Sequence, residues 1–510
     1  MADDGGGRRR LLDRLASARA RHHERHRPSG FGFALGDSIR YLDAVQWDAA
    51  CAGQSLFLQR RYLQVLEDAG PDNLAPRYAL IFRGREPVAA VVMQIVTLSG
   101  TRFLKPDGGT PGGRLRRALT PAVRRVGEAV RERVLVCGNL LSWGFHAVGF
   151  APGQAPAPIW PAVAEAIYRV RRAERLSGQA DFALVKDLSA GELEGAAALR
   201  RFGYRPVESD PNMVLEIPAT WRGYDDYLAD LNAKYKNAAR RIQKDLTQAG
   251  CAVTRLDDVG RHAPELHALF LNVLRNASVR PVTLPPAFFP TLAAALGDDF
   301  RCVVVRREQE IVGFISMLRD DDTAVAYYIG FDRQAGVGNT VYLALLHAVI
   351  DEAIRLGCRR VSFGRTALEP KAGLGAKPQR LWLWTRHRVP AMNVLIRRLL
   401  RVVPHGEAPD RNPFKAAASS KSCSMQACRF LLRRTSAVSH GRTCDVQRHG
   451  AGQSGASCVT SHGWRRRNPA KSAEICLALA LRQGDGQYAI PCPTDHAPAP
   501  YPARATRPVR

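Results

Sequence analysis

The sequence predicts a mixed α/β protein built from two similar units, each a largely antiparallel sheet flanked by helices. Three observations predict it. Alternating or continuous apolar runs of strand length are separated by short polar turns. Longer segments with apolar residues at helical spacing lie between them. The order hairpin, strand, helix, strand occurs once in each half.

In the first unit, Leu56–Glu67 has helical spacing through Leu58, Tyr62, Val65 and Leu66. Tyr78–Phe82, the turn Arg83-Gly84-Arg85-Glu86 and Val88–Val96 read as a hairpin. Val134–Cys137 and Phe145–Phe150 flank a further strand region, Ile159–Arg175 a helix, and Phe182–Lys186 and Met213–Ile217 strands. In the second unit, Tyr224–Ala249 reads as one long helix. Cys302–Val305 and Ile311–Leu318 form the second hairpin across Arg306–Glu310. Ala324–Phe331 is a strand, Thr340–Gly357 an apolar helix, Arg360–Phe363 a short buried strand, and Trp382–Thr385 a last strand.

These boundaries divide the chain into a basic arm (1–30), a first unit (31–218), a second unit (219–415) and a basic tail (416–510). Apolar residues at 46% and charged residues at 24% fit a globular body and exclude a fully disordered, collagen-like or disulfide-miniprotein chain. The formal net charge of +27 favours anionic partners. The last 95 residues hold 14 Lys+Arg against 4 Asp+Glu and six of the 11 cysteines, leaving 60 against 43 in the body. This tail reads as disordered, or as out-of-frame translation of a GC-rich gene, and is not expected to carry function. The body cysteines, Cys51, Cys137, Cys251, Cys302 and Cys358, are widely spaced, as reduced thiols in a cytoplasmic protein are. No leader-like apolar region follows Met1, and the apolar run Val88–Leu98 is too short to cross a bilayer.

Three segments carry chemistry. The first is Arg333-Gln334-Ala335-Gly336-Val337-Gly338, between a strand and a helix, with Asn339 as a helix N-cap. Glycines there let backbone approach a ligand, and the helix N-terminus attracts phosphate. This segment resembles the acetyl-CoA signature Q/R-x-x-G-x-G/A of the GNAT acyltransferase superfamily. The resemblance implies that the loop holds the pyrophosphate of acetyl-CoA or another acyl-CoA. It also implies that the strand around Tyr327–Ile329 holds the pantetheine and thioester. The first unit has the Pro-rich Ala151-Pro152-Gly153-Gln154-Ala155-Pro156 instead, so one acyl-CoA site is expected.

The second segment is the Tyr224–Ala249 helix, in which Leu231-Asn232-Ala233-Lys234-Tyr235-Lys236-Asn237-Ala238-Ala239-Arg240-Arg241 is followed by Lys244, with Lys236, Arg240 and Lys244 repeating at i, i+4 and i+8. It resembles the L-x-x-K-x-R-x-x-I-R-R helix of the FemAB-like branch, which consists of two tandem GNAT domains. Lys236 stands where that pattern has Arg, and Ala239 where it has Ile. The third is Phe363-Gly364-Arg365 with Glu369-Pro370-Lys371-Ala372-Gly373-Leu374-Gly375, similar to the branch's F-G-R … Y-K-x-x-F/L-G segment, with Pro370 in place of an aromatic residue.

The implied function is acyl transfer from acyl-CoA to an amine without a covalent enzyme intermediate. Tyr327, Tyr328, Asp332 and Lys371 are the candidate catalytic residues. Arg333, Gln334, Gly336, Val337, Gly338 and Asn339 would bind the donor. Lys236, Arg240, Arg241, Lys244 and Arg365 would meet phosphate or substrate. Two alternatives are transfer from aminoacyl-tRNA to a peptidoglycan precursor, and non-catalytic binding of nucleic acid or a membrane surface. The expected acceptor is a small-molecule or cell-envelope amine. No metal site is expected: His22, His23 and His26 lack Cys or acidic company beyond Glu24, and His347 sits in an apolar helix. No Ser/His/Asp or Cys/His nucleophile set stands out.

Overall fold

The computed structural model describes residues 27–99, 131–275, 282–333, 338–389, 392–393, 409 and 411–415, together with a few positions between 13 and 24. The tail 416–510 and most of the arm lie outside these residues.

The first half begins with β1 (Gly32–Gly36), then α1 (Ala44–Ala50) and α2 (Arg60–Ala69). The hairpin β2 (Leu74–Arg83) and β3 (Glu86–Ser99) follows, then β4 (Arg131–Cys137), β5 (Val148–Phe150), α3 (Pro156–Ala173), β6 (Ala180–Leu188), α4 (Ala190–Gly195) and β7 (Arg205–Glu216). The second half has α5 (Tyr224–Asp230), α6 (Ala233–Gln248), β8 (Cys251–Arg255), α7 (Ala263–Leu274) and α8 (Phe288–Leu296). It continues with β9 (Phe300–Arg307), β10 (Glu310–Asp320), β11 (Thr323–Phe331), α9 (Gly338–Arg355), β12 (Arg360–Ser362), α10 (Leu368–Gly373) and β13 (Lys377–His387).

Among the described residues all the strands join one 13-stranded sheet, in the order β1-β2-β3-β4-β6-β13-β7-β12-β11-β10-β9-β8, with β5 added to β3. The order reads alike from both edges. Three antiparallel contacts lead to a parallel pair, β4 with β6 on one side and β11 with β12 on the other. At the centre the last strand of each half is exchanged. β7 closes the first half in sequence yet pairs with β12, and β13 closes the second yet pairs with β6. β7 and β13 pair with each other from Lys377↔Val214 to Thr385↔Arg205.

The period-two pattern divides the sheet's side chains between its faces. Tyr78, Leu80, Val304, Phe314 and Val325 join a core that includes Trp47 and Tyr62 of α1 and α2 and Leu266 and Phe288 of α7 and α8. Ala79, Ile81 and Val91 pack on the other side against Trp160 and Val163 of α3. Val303, Val305 and Ala324 pack against Val341, Leu345 and Val349 of α9. One helix over Tyr224–Ala249 is not formed. Leu231 is extended (φ −66°, ψ 141°), and the chain re-enters a helix at Asn232, whose Oδ1 caps the Tyr235 N–H at 3.5 Å. At the break, Leu231 bridges to Phe414, which packs on Trp221 and Tyr227. No helix among the described residues is long and apolar enough to cross a membrane.

Candidate acyl-transfer site

β11 and β12 pair over three rungs only: Thr323↔Arg360, Ala324↔Val361 and Val325↔Ser362. β11 then runs on to Phe331 with, among the described residues, its ladder to β10 alone. Past Ser362 the chain bends toward β7: Phe363 N–H donates to Met213 O at 2.8 Å, and Met213 N–H to Gly364 O at 3.1 Å. A notch therefore opens between Ala326–Phe331 and Phe363–Arg365. In the first half β4 stops at its last rung with β6, Cys137↔Val185, so its end does not run past its parallel partner. A strand edge without a ladder partner suits an extended, amide-bearing chain.

The register of β10 and β11 slips at the notch. Ser316 faces Tyr328 and Met317 faces Ala326, leaving Tyr327 as the extra residue of a β-bulge. Tyr327 and Tyr328 consequently turn to the same face, their rings 4.6 Å apart. Ser316 Oγ receives the Tyr328 N–H at 3.1 Å. The Tyr327 hydroxyl is buried against that of Tyr62 at 2.8 Å. Asn139 donates to Tyr62 Oη at 2.9 Å, and Gln94 donates to Asn139 Oδ1 at 3.2 Å. Burial pushes the Tyr327 phenol well above its ordinary value. Tyr328 Oη donates to Leu141 O at 3.4 Å. Both hydroxyls thus meet the first half rather than open solvent.

At the far end of β11, Asp332 N–H donates to Val312 O at 2.9 Å. The Arg333 guanidinium lies 5.7 Å from the Phe331 ring. Gly338 opens α9 and is buried; a Cβ there would stand 2.8 Å from Arg333 Cα and 3.0 Å from Asp332 O. That turn is too tight for a side chain. Asn339, expected as the N-cap, instead lies inside α9 and is exposed, and the N–H groups of a helix's first turn lack intrahelical partners. Gln334, Gly336 and Val337 lie outside the described residues.

On the other wall, Gly364 has φ +79°, a conformation that favours glycine. The indole of Trp143 lies against it, 3.1 Å from where a Cβ would be. Trp143 Nε1 donates to Ser362 Oγ at 2.9 Å, and Ser362 Oγ donates to Asn212 Oδ1 at 3.1 Å. Lys371, buried in α10, donates to the carbonyls of Phe363 (2.6 Å) and Gly364 (3.3 Å). Its partners here are neutral, and burial holds its pKa down to about 7. Arg365 is also buried and ion-pairs with Asp187 at the end of β6. Lys186 shares that carboxylate and donates to Ser142 O at 2.6 Å. Burial opposes the Asp187 charge, yet Arg365 and Lys186 hold its carboxyl below the ordinary value. Burial brings Lys186 down to about 8.

Beside the notch lies a cleft of about 540 Å³. Val325, Ser362 and Val214, one rung across β11, β12 and β7, form its floor, and Trp143, His146 and Asp320 one wall.

The remaining sequence candidates lie elsewhere. Arg240, Arg241 and Lys244 are exposed on α6 and Lys236 is half-buried, while Ala239 and Leu246 of that helix face the core. Arg241 reaches Asp245 at 3.8 Å. His347 is half-buried beside the α9 core, hydrogen-bonded to Tyr224 Oη at 2.8 Å, and desolvation lowers its pKa to about 4. No cluster of metal-ligating side chains occurs among the described residues. The sequence reading missed Trp143, Lys186, Asp187 and Asn212, all from the first half. Only the charged pair Lys186-Asp187, ending an apolar strand, carried a signal.

Residues 233–372 match the family model described as an acetyltransferase (GNAT) domain. The match spans β11, the loop, α9, β12 and Lys371. The protein carries a GNAT acyltransferase domain. Among solved structures, a tandem GNAT protein from the clavulanic acid biosynthesis pathway is 14% identical, with 71% of this chain and 99% of that chain covered at a TM-score of 0.40. FemX is 10% identical, with 70% and 98% covered at 0.42. A GCN5-related N-acetyltransferase from Kribbella flavida is 14% identical, with 69% and 71% covered at 0.34. No curated protein matches the sequence. Within the GNAT domain, the notch lies between the two strands of its parallel pair, and Lys371 lies at the end of the match.

Proposed function

We propose that the protein is an N-acyltransferase moving an acyl group from acyl-CoA, with acetyl-CoA the simplest case, directly to an amine. The observation that carries this reading is the notch. β11 runs past its parallel partner with a free ladder edge, and a glycine-tight turn and a helix N-terminus follow at its end. Acyl-CoA supplies the activated thioester. Residues Ala326–Ile329 would pair with its amide-bearing arm. Arg333 and the segment through Gly338 and Asn339, with Gln334, Gly336 and Val337 between them, would meet its pyrophosphate. Lys371 and Arg365 supply positive charge near the opening for a developing oxyanion. Tyr327 and Tyr328 shape the wall, and Asp332 stands at the turn. The acceptor is a small-molecule or cell-envelope amine, and the cytoplasm is the site of action.

A second reading, transfer from aminoacyl-tRNA in the manner of the FemAB-like branch, draws on the exposed Arg240, Arg241 and Lys244 of α6.

The deciding experiment is calorimetric titration of acetyl-CoA into the full chain and into a Gly336→Glu/Gly338→Glu variant. Micromolar binding that the variant loses supports the reading. Absence of binding to the folded wild type overturns it. Salt-sensitive binding of tRNA in its place, lost on Arg240→Ala/Arg241→Ala, favours the second.

A further inference from the structure

Ser55, His146 and Asp320 come from three distant segments and meet beside the cleft, which His146 and Asp320 line. Ser55 Oγ lies 2.9 Å from His146 Nδ1 and 2.8 Å from Asp320 Oδ2. His146 Nε2 lies 3.0 Å from the Trp143 carbonyl. Asp320 Oδ1 separately receives the Leu56 N–H at 2.6 Å.

The three contacts in this chain need three hydrogens. With an ionised carboxylate and a neutral imidazole, the Ser55 hydroxyl and one ring N–H supply two. One further proton completes the chain. His146 then donates from Nε2 to Trp143 O and from Nδ1 to Ser55 Oγ, and Ser55 donates to Asp320. The arrangement is one proton short when His146 is neutral and complete when it is charged. Burial pushes the imidazole below its ordinary value; Asp320 opposes this, Lys186 adds to it, and the Trp143 carbonyl and Asp187 oppose it. With His146 neutral, the chain has one hydrogen-bond position open for a proton.

The cleft also has the right position. Its floor residues Val325 and Ser362 form the last rung before the notch, and Trp143, which lines the cleft, lies over Gly364 on the notch wall. We propose that the cleft holds a primary amine acceptor with an apolar or aromatic body, and that Asp320, Ser55 and His146 take its proton. This rests on the acyl-CoA reading for the position of the donor. The ammonium pairs with Asp320 and passes one proton to it. Asp320 hands that proton to Ser55 Oγ as Ser55 hands its own to His146 Nδ1. The neutral nitrogen then forms the amide bond while the thioester C–S bond breaks, and its second proton leaves on the thiol. Asp320 touches the acceptor and is catalytic. Ser55 and His146 act through it.

Two measurements on the full chain test this. Nitrogen-15 NMR of labelled histidine follows the His146 titration in the wild type, Asp320→Asn and Ser55→Ala. Each variant is expected to lower its midpoint by a unit or more, and a midpoint unmoved by both overturns the proton chain. Thiol release from acetyl-CoA with 2-phenylethylamine as probe is then followed against pH. The wild type is expected to show a limb in kcat/KM at the NMR midpoint. Asp320→Asn should lose the limb and at least a hundredfold in rate. Val214→Phe, which narrows the cleft floor, should raise KM tenfold or more with the His146 titration unchanged. A wild type that binds acetyl-CoA and leaves the probe unacylated, or a Val214→Phe variant with unchanged KM, overturns the placement of the acceptor. Failure of acetyl-CoA to bind at all removes the donor reading instead, and the NMR result then decides the proton chain alone.

Discussion

Asp187 at the end of β6 and Arg365 just beyond β12 form a buried ion pair between the two halves of the sheet, with Lys186 sharing the carboxylate. Two cations on one buried carboxylate make that carboxylate indispensable. Asp187→Asn leaves Lys186 and Arg365 uncompensated and is expected to lower stability by about 3–5 kcal/mol in urea denaturation. The Asp187 carboxyl is depressed in the folded state. Its contribution is present above the unfolded carboxyl value and is lost as pH falls through the folded one. The gap between wild type and variant should therefore close in acid.

Lys371 predicts a slope of the same sign in the neutral-to-alkaline range. Its folded pKa of about 7 lies below the ordinary lysine value of 10.5. Between these pH values the unfolded chain binds more protons, so stability rises with pH by up to about 1.4 kcal/mol per unit from this group. Lys371→Met should remove that slope and be neutral or stabilising near pH 7. It should also lower acyl transfer at least tenfold. A wild type minus variant difference that stays flat with pH would remove the case for a depressed pKa at Lys371.

Tyr327 and Tyr62 are expected to couple in stability. A double-mutant cycle with Tyr62→Phe and Tyr327→Phe should give an interaction of about 0.5–1.5 kcal/mol, the ordinary worth of a buried hydrogen bond. Tyr327→Phe should leave the pH profile of transfer unmoved. A lost limb in that profile would instead make Tyr327 part of the proton path.

Phe414 packs on Trp221, at 5.7 Å between ring centroids, and on Tyr227, at 6.2 Å. Phe414→Ala should cost about 3 kcal/mol in thermal or urea unfolding. A chain stopped after Lys415 should melt as the full chain does, whereas one stopped before Arg411 should not.

Much of this was legible in the sequence. The two hairpins, the parallel-pair strands and the turn ending at Gly338 follow from apolar periodicity and glycine placement, which local sequence encodes directly. The exchange of β7 and β13 was not legible. Met213–Ile217 reads as the same buried strand whether its neighbour is β6 or β12, because periodicity fixes which face a residue takes and not which strand lies alongside. The break at Leu231 was hidden because Leu228, Leu231 and Tyr235 keep helical spacing across it. The wall made by Trp143, His146 and Asp320 was hidden for another reason. It is assembled across the midline by residues whose own segments give no sign of what they face.

The central exchange has a consequence for ancestry. Two separate copies of one half, each lending its last strand to the other about a twofold axis between β7 and β13, would build the same sheet as a symmetric homodimer. Joined end to end in one polypeptide, the copies are released from symmetry. One strand pair can stay sealed along its length while its counterpart stays parted, and the sealed copy is free to lend its loops to its twin.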